Sequence, residues 1–138
     1  MTATQSQPPS LLPDDALSAI LTLAKHRVDP KKRFAFRAHG SQLQAIFRDL
    51  AEQYDFLPGI FVFSTSGPRP YSPDLNDSIA KLQLAGLLGR ENPDYQVIFL
   101  RPAAESYFDK ILAPKLGDEI IKTLDQVASA FVQKVQFV

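Results

Sequence analysis

The chain has 138 residues, with 15 Lys and Arg against 15 Asp and Glu, 45% hydrophobic residues and no Cys or Trp. A length near the common domain size and an ordinary apolar fraction argue for one globular domain and against disorder. No disulfide framework is available, no apolar run approaches the roughly 20 residues of a membrane span, and the first residues lack the basic and apolar regions of a signal peptide. A cytoplasmic protein without membrane contact is therefore expected.

Residues 1–10 are small and polar, carry Pro8 and Pro9 and show no periodicity, which predicts a mobile leader ahead of a single domain over residues 11–138. Over residues 13–27, Ala16, Leu17, Ile20, Leu21, Leu23 and Ala24 recur at helical spacing. Asp14 and Asp15 fall in the first turn and Lys25, His26 and Arg27 in the last, each sign suited to the helix dipole. Pro30 breaks this helix by driving Asp29 out of the α region. Residues 31–39 alternate, with Phe34, Phe36 and Ala38 on one side and Arg33, Ala35 and Arg37 on the other, and predict a short strand or extended segment.

Gly40 and Ser41 supply a turn and an N-cap for a second helix, whose stripe of Leu43, Ile46, Phe47 and Leu50 runs down to Tyr54. Leu57, Pro58 and Gly59 stop it, and residues 60–63 are a run of β-formers that predicts a buried strand. Residues 64–71 are too rich in Gly and Pro to be regular. Ser72, Pro73 and Asp74 provide the N-cap, first-turn proline and first-turn acid of a third helix, with Leu75, Ile79, Leu82 and Gly86 on one face. It ends at Ala85 and Gly86. Leu87 and Leu88 then pair with residues 95–100 as a hairpin around a polar tip. Residues 103–113 predict a helix that Pro114 ends. Residues 117–135 predict a long amphipathic helix with Ile120, Leu124, Val127, Phe131 and Val135 on one seam.

The expected fold class is α+β, winged-helix-like, with about five helices and a small antiparallel sheet holding the hairpin and residues 60–63. A third helix followed by a Gly-Leu-Leu exit and a hairpin is the order in which the helix can enter a DNA major groove while the wing touches the backbone. Asp74 and Asp77, however, would face phosphates and oppose the electrostatic attraction that dominates DNA affinity.

Ile60, Phe61, Val62 and Phe63, then Ser66, Gly67 and Pro68, Tyr71 to Leu75, Ile79, Leu82 and Gly86, Leu87 and Leu88 carry a further signal. Over residues 40–100 the chain resembles the YwgA-like, phage-associated proteins and the related Panacea antitoxin domain. Arg69 and Pro70 are inserted between Gly67-Pro68 and Tyr71-Ser72, and Ser66 stands where that pattern has an aromatic. The resemblance implies a role with mobile elements, defence or toxin neutralisation by protein contact, and it brings no catalytic residues.

Residues 67–73 form a stiff loop presenting Arg69 and Tyr71, a cation and an aromatic suited to a partner protein or to phosphate and base. The bland account makes the prolines fix the turn and Tyr71 pack on the third helix. Residues 25–39 carry six cations, Lys25, Arg27, Lys31, Lys32, Arg33 and Arg37, against Asp29 alone, so the rest of the chain balances a local excess of five. With Phe34 and Phe36 interleaved, Lys31, Lys32, Arg33 and Arg37 form a candidate nucleic-acid footprint; a solvated edge strand is the alternative. His26 and His39 have no acid at ligand spacing and no phosphate-cradling or nucleophile motif is present, so neither a metal, a cofactor nor an enzyme is expected. Ile121, Ala128 and Val132 widen the seam of the last helix beyond a single contact: its ordinary cover is the chain's own core on the first helix, and the alternative is that one edge packs there while the other, with Phe131, meets a second subunit in a homodimer.

Overall fold

The structure, a computed structural model, describes residues 11–38, 42–64, 71–91 and 97–138. The expected leader, the Gly40-Ser41 turn and residues 92–96 of the expected hairpin lie outside the described residues, while residues 89–91, expected in its six-residue tip at 89–94, continue its first strand. In chain order the elements are α1 (Pro13–Lys25), β1 (Ala35–Arg37), α2 (Gln42–Gln53), a 3-10 turn (Leu57–Gly59), α3 (Pro73–Leu84), β2 (Leu88–Glu91), β3 (Val97–Leu100), α4 (Pro102–Tyr107), α5 (Ala113–Leu116) and α6 (Asp118–Lys134). A π turn (Phe108–Leu112) joins α4 to α5 without a break, so five helical bodies accompany one small sheet, an α+β fold.

The centre of the fold is α1, buried from Asp15 to Ala24 on every side. It packs on α6, α3 and the π turn. Small side chains make this close packing available: Ala16, Ser18, Ala19, Thr22 and Ala24 let neighbouring helices approach, while Leu17, Ile20 and Leu21 fill the gaps. The hydroxyls of Ser18 and Thr22 are buried without a hydrogen-bond partner among the described residues.

The sheet has the order β1-β3-β2 and is antiparallel throughout. Phe36 is opposite Ile98, and Gly89 is opposite Phe99. Period-two alternation sends Phe36, Leu88 and Ile98 into the core and turns Arg37 and Phe99 the other way. Phe36 meets Phe131 edge-on at 5.4 Å, Phe131 meets Phe47 at 5.8 Å and Phe47 meets Phe61 at 5.5 Å, so one aromatic chain ties sheet, α6 and α2 together.

Two expectations about these elements are corrected. Residues 60–63 form no ladder, because the Ile60 and Phe61 amides both donate back to the Leu57 carbonyl, at 2.8 and 2.9 Å, and close a 3-10 turn. The segment supplies Phe61 to the core instead, and the third strand of the sheet is β1. β1 is an edge strand of the sheet, as the alternative reading of residues 31–39 has it, but its outer side is flanked by residues 136–138, with the Arg37 amide donating to the Gln136 carbonyl at 2.9 Å and the Val138 amide to the Ala35 carbonyl at 3.0 Å. Finally, Pro114 does not end its helix. The π turn immediately before it widens the spiral where a proline, lacking an amide, would clash with the preceding turn. The stop comes at Gly117, whose φ of +85° only glycine adopts without strain.

Candidate functional site

The basic segment before α2 is partly spent within the chain. Arg33 grips Glu91 with both guanidinium nitrogens, at 2.5 and 2.7 Å. This pairing holds the Glu91 carboxyl below, and the Arg33 guanidinium above, their ordinary pKa values. Arg27 makes a similar fork to Asp125, at 3.2 and 2.9 Å, and Lys25 pairs with Glu105 at 3.1 Å. Of the six cations, Lys31, Lys32 and Arg37 remain exposed, with no ion pair among the described residues. The predicted nucleic-acid set of Lys31, Lys32, Arg33 and Arg37 therefore sits together around β1, but Arg33 is occupied.

On the outward side of the sheet, the Arg33 guanidinium lies 4.5 Å and that of Arg101 5.3 Å from the centre of the Phe99 ring. Phe99 lies flat over Gly89, where an added Cβ would come within 2.3 Å of the ring. Arg101 was not foreseen from the sequence; only the register of the hairpin brings it to the same ring as Arg33.

The outward face of α3 has a different character. Ser72 caps the helix, accepting from the Leu75 amide at 3.3 Å. Buried Gln44 on α2 holds Ser72 from both sides, accepting from its amide at 2.7 Å and donating to its carbonyl at 3.1 Å, which sets α3 against α2. Asp74 accepts from the Val62 amide at 3.2 Å, so this first-turn acid is engaged locally. Asn76, Asp77, Ala80, Lys81, Gln83 and Leu84 face outward, and Lys81 leans to Asp14 at 3.9 Å. Leu84, one helical turn beyond Ala80, is 90% exposed. Tyr71, predicted at a presenting loop, is 45% exposed two residues before the start of this helix. Arg69, predicted with it, lies outside the described residues.

Phe131, predicted to meet a second subunit, is fully buried. Its seam is consumed inside the chain: Leu124, Val127, Ala128 and Phe131 are covered, chiefly by α1, with Phe36 and Phe47 closing over the ring. A wide apolar stripe on α6 is needed because the helix covers both α1 and the aromatic chain at the sheet.

Charged side chains also fasten the α4 region to α1. Glu105 accepts from Lys25 at 3.1 Å and pairs with the His26 ring at 2.5 Å. Burial raises its pKa, yet the two hydrogen bonds and the charges behind them outweigh that and leave the carboxyl below its ordinary value. Buried Asp15 receives Tyr107 Oη at 3.2 Å and Lys115 Nζ at 2.8 Å. Burial, then the Asp15 charge, pushes the Tyr107 hydroxyl upward. These are clasps between helices. Among the described residues no three His, Cys, Asp or Glu side chains converge as a metal site, and no helix is long and apolar enough to cross a membrane. No protein-family model, curated protein or solved structure matches the chain.

Proposed function

We propose that this chain is a non-enzymatic regulatory module of the cytoplasm that acts by protein–protein contact, antitoxin-like or associated with a mobile element, and that the outward face of α3 is its contact surface. The observation that carries this reading is the character of that face, which ends in a leucine 90% exposed and carries Ala80 beside it. Phosphate backbones reward unopposed cations, whereas this face offers Asp77, with Lys81 leaning to Asp14. Burial of Leu84 against a partner removes apolar surface from water, and Tyr71 adds an amphipathic aromatic of the kind enriched at interfaces.

The order helix, strand, helix, helix and hairpin, with strands arranged β1-β3-β2, supports a winged-helix reading. In that reading α3 occupies the recognition position and the β2–β3 hairpin is the wing. The sequence resemblance over residues 40–100 supports the antitoxin-like role. A second reading, winged-helix DNA binding in transcription, is favoured by exposed Lys31, Lys32 and Arg37 around β1.

Affinity purification of the tagged chain from its native cells, with nuclease treatment at about 0.15 M salt, separates the two. The protein-contact reading expects a partner that survives nuclease and is lost from Leu84→Asp, a variant whose circular dichroism matches the wild type. Recovery of nuclease-sensitive material alone, or equal capture by Leu84→Asp, contradicts it.

A further inference from the structure

We propose that the outer edge of β1 is a strand-addition site for an extended partner peptide with an aromatic residue followed by an acidic one, a site that residues 136–138 of this chain occupy and close. The site lies apart from the outward face of α3 and stands or falls independently of it.

The closing segment identifies what fits. Phe137 bridges Phe36 in antiparallel fashion, and the two flanking hydrogen bonds, from Arg37 to Gln136 and from Val138 to Ala35, are the main-chain ladder of an added strand. The Phe137 ring stands edge-on to Phe34 at 5.5 Å but keeps 36% of its surface exposed. Gln136 and Val138 on either side are exposed as well. One aromatic ring and two main-chain bonds therefore hold the segment, against the full β3 ladder on the other side of β1. So few interactions must offset the conformational entropy of ordering the segment, which makes it displaceable.

The acidic preference comes from the ground beside it. An open cavity of about 670 Å³ is lined by Val28, Asp29, Lys32, Arg33, Phe137 and Val138. Asp29 stays exposed and accepts from the Lys31 amide at 2.9 Å, and Arg33 is held by Glu91, so of the two lining cations Lys32 is the one without an ion pair among the described residues. A carboxylate just after the aromatic position of an added strand would lie next to it. A seat for one aromatic side chain, a row of main-chain groups that displacement of the closing segment uncovers and an adjacent cation are the parts of a peptide-recognition edge.

The test uses the full chain and fluorescein-labelled peptides reading Lys-Val-Gln-Phe followed by Glu or by Gln. Phe137→Ala weakens the closing segment while leaving the β1 edge and the ring site, and the Glu peptide is expected to bind this variant about tenfold more tightly than the wild type, in which the site is occupied. Adding Arg37→Pro, which deletes the amide facing the added strand, should remove the binding, whereas Arg37→Ala, which keeps that amide and loses the same cation, should not. The Glu peptide should outbind the Gln peptide several-fold, and Lys32→Ala should erase the difference. In the wild type, the Arg37 and Val138 amides should exchange with deuterium at least about tenfold faster than those of the β1–β3 ladder. Failure of a folded Phe137→Ala chain to bind either peptide, or binding that survives Arg37→Pro, overturns the site. Equal protection of all these amides overturns its displaceability, and equal binding of the two peptides overturns the acidic preference.

Discussion

Replacing Phe131 by alanine removes a fully buried ring that touches Phe36 at 5.4 Å and Phe47 at 5.8 Å, the link through which α6 reaches both the sheet and α2. The surrounding groups belong to three different elements and cannot all collapse into one void. The cost therefore falls in the usual range for a phenylalanine-to-alanine change in a core, about 3–5 kcal/mol, where lost transfer free energy and a residual cavity add. Domains of this size hold about 5–15 kcal/mol in total, and each kcal/mol moves the midpoint by roughly 3–5 °C, so melting should drop by roughly 9–25 °C. Thermal unfolding by circular dichroism with urea titration measures it, with a lower urea midpoint and an unchanged slope expected. Phe137→Ala, which removes a ring already 36% exposed, should cost much less. If Phe131→Ala melts within a few degrees of the wild type while the mass in solution changes, the ring lies at a subunit interface and the packing argued above is wrong.

Gly89→Ala places a Cβ within 2.3 Å of the Phe99 ring, so the ring must leave its seat under Arg33 and Arg101, at about 1–3 kcal/mol in a urea titration; a neutral effect would mean the ring is not seated there. Gln44→Ala strands the buried amide of Ser72, whose carbonyl still accepts from the Asn76 amide at 3.3 Å, and an expected loss of about 1–3 kcal/mol is read in the same titration. Glu105 is held below its ordinary carboxyl value of 4.5, so the stability it contributes is present above that pH and is lost as pH falls through its lower value in the folded chain. Melting temperatures taken from pH 7 down to 3 should therefore fall more steeply below about 4.5 for the wild type than for Glu105→Gln, and parallel curves would remove the clasp from the account.

What the sequence discloses follows the range of the interactions involved. The first helix, the Ser72 cap and the Gly86 exit are written in neighbouring residues, and all three stand where spacing and capping chemistry put them. The alternation of residues 31–39 likewise contains β1. Residues 60–63 mislead because a short apolar run reads alike whether it enters a ladder or plugs a core; here Pro58 and Gly59 turn the chain back before pairing can start. Phe131 misleads for a related reason, since the width of an apolar stripe states how much must be covered and not which chain covers it. Pro114 reads as a stop unless the preceding turn is known to be a π turn. Gln44 gives no signal, because an amide on a helix looks like surface until it is found clamping another helix's cap. Nothing local announces that Phe137 pairs with Phe36, or that Arg33 and Arg101 share a ring, because both depend on register between distant segments.

The central claim, that the outward face of α3 makes an apolar protein contact, is tested most directly by titrating the partner recovered from native cells against wild type, Leu84→Asp and the pair Lys31→Glu with Lys32→Glu at several salt concentrations. The account predicts that Leu84→Asp weakens binding by at least about tenfold, that the lysine pair leaves it within about twofold, and that affinity changes little with salt. Wild-type affinity for Leu84→Asp, together with loss of binding in the lysine pair and a steep fall with salt, would contradict it and move the working surface to the basic segment around β1.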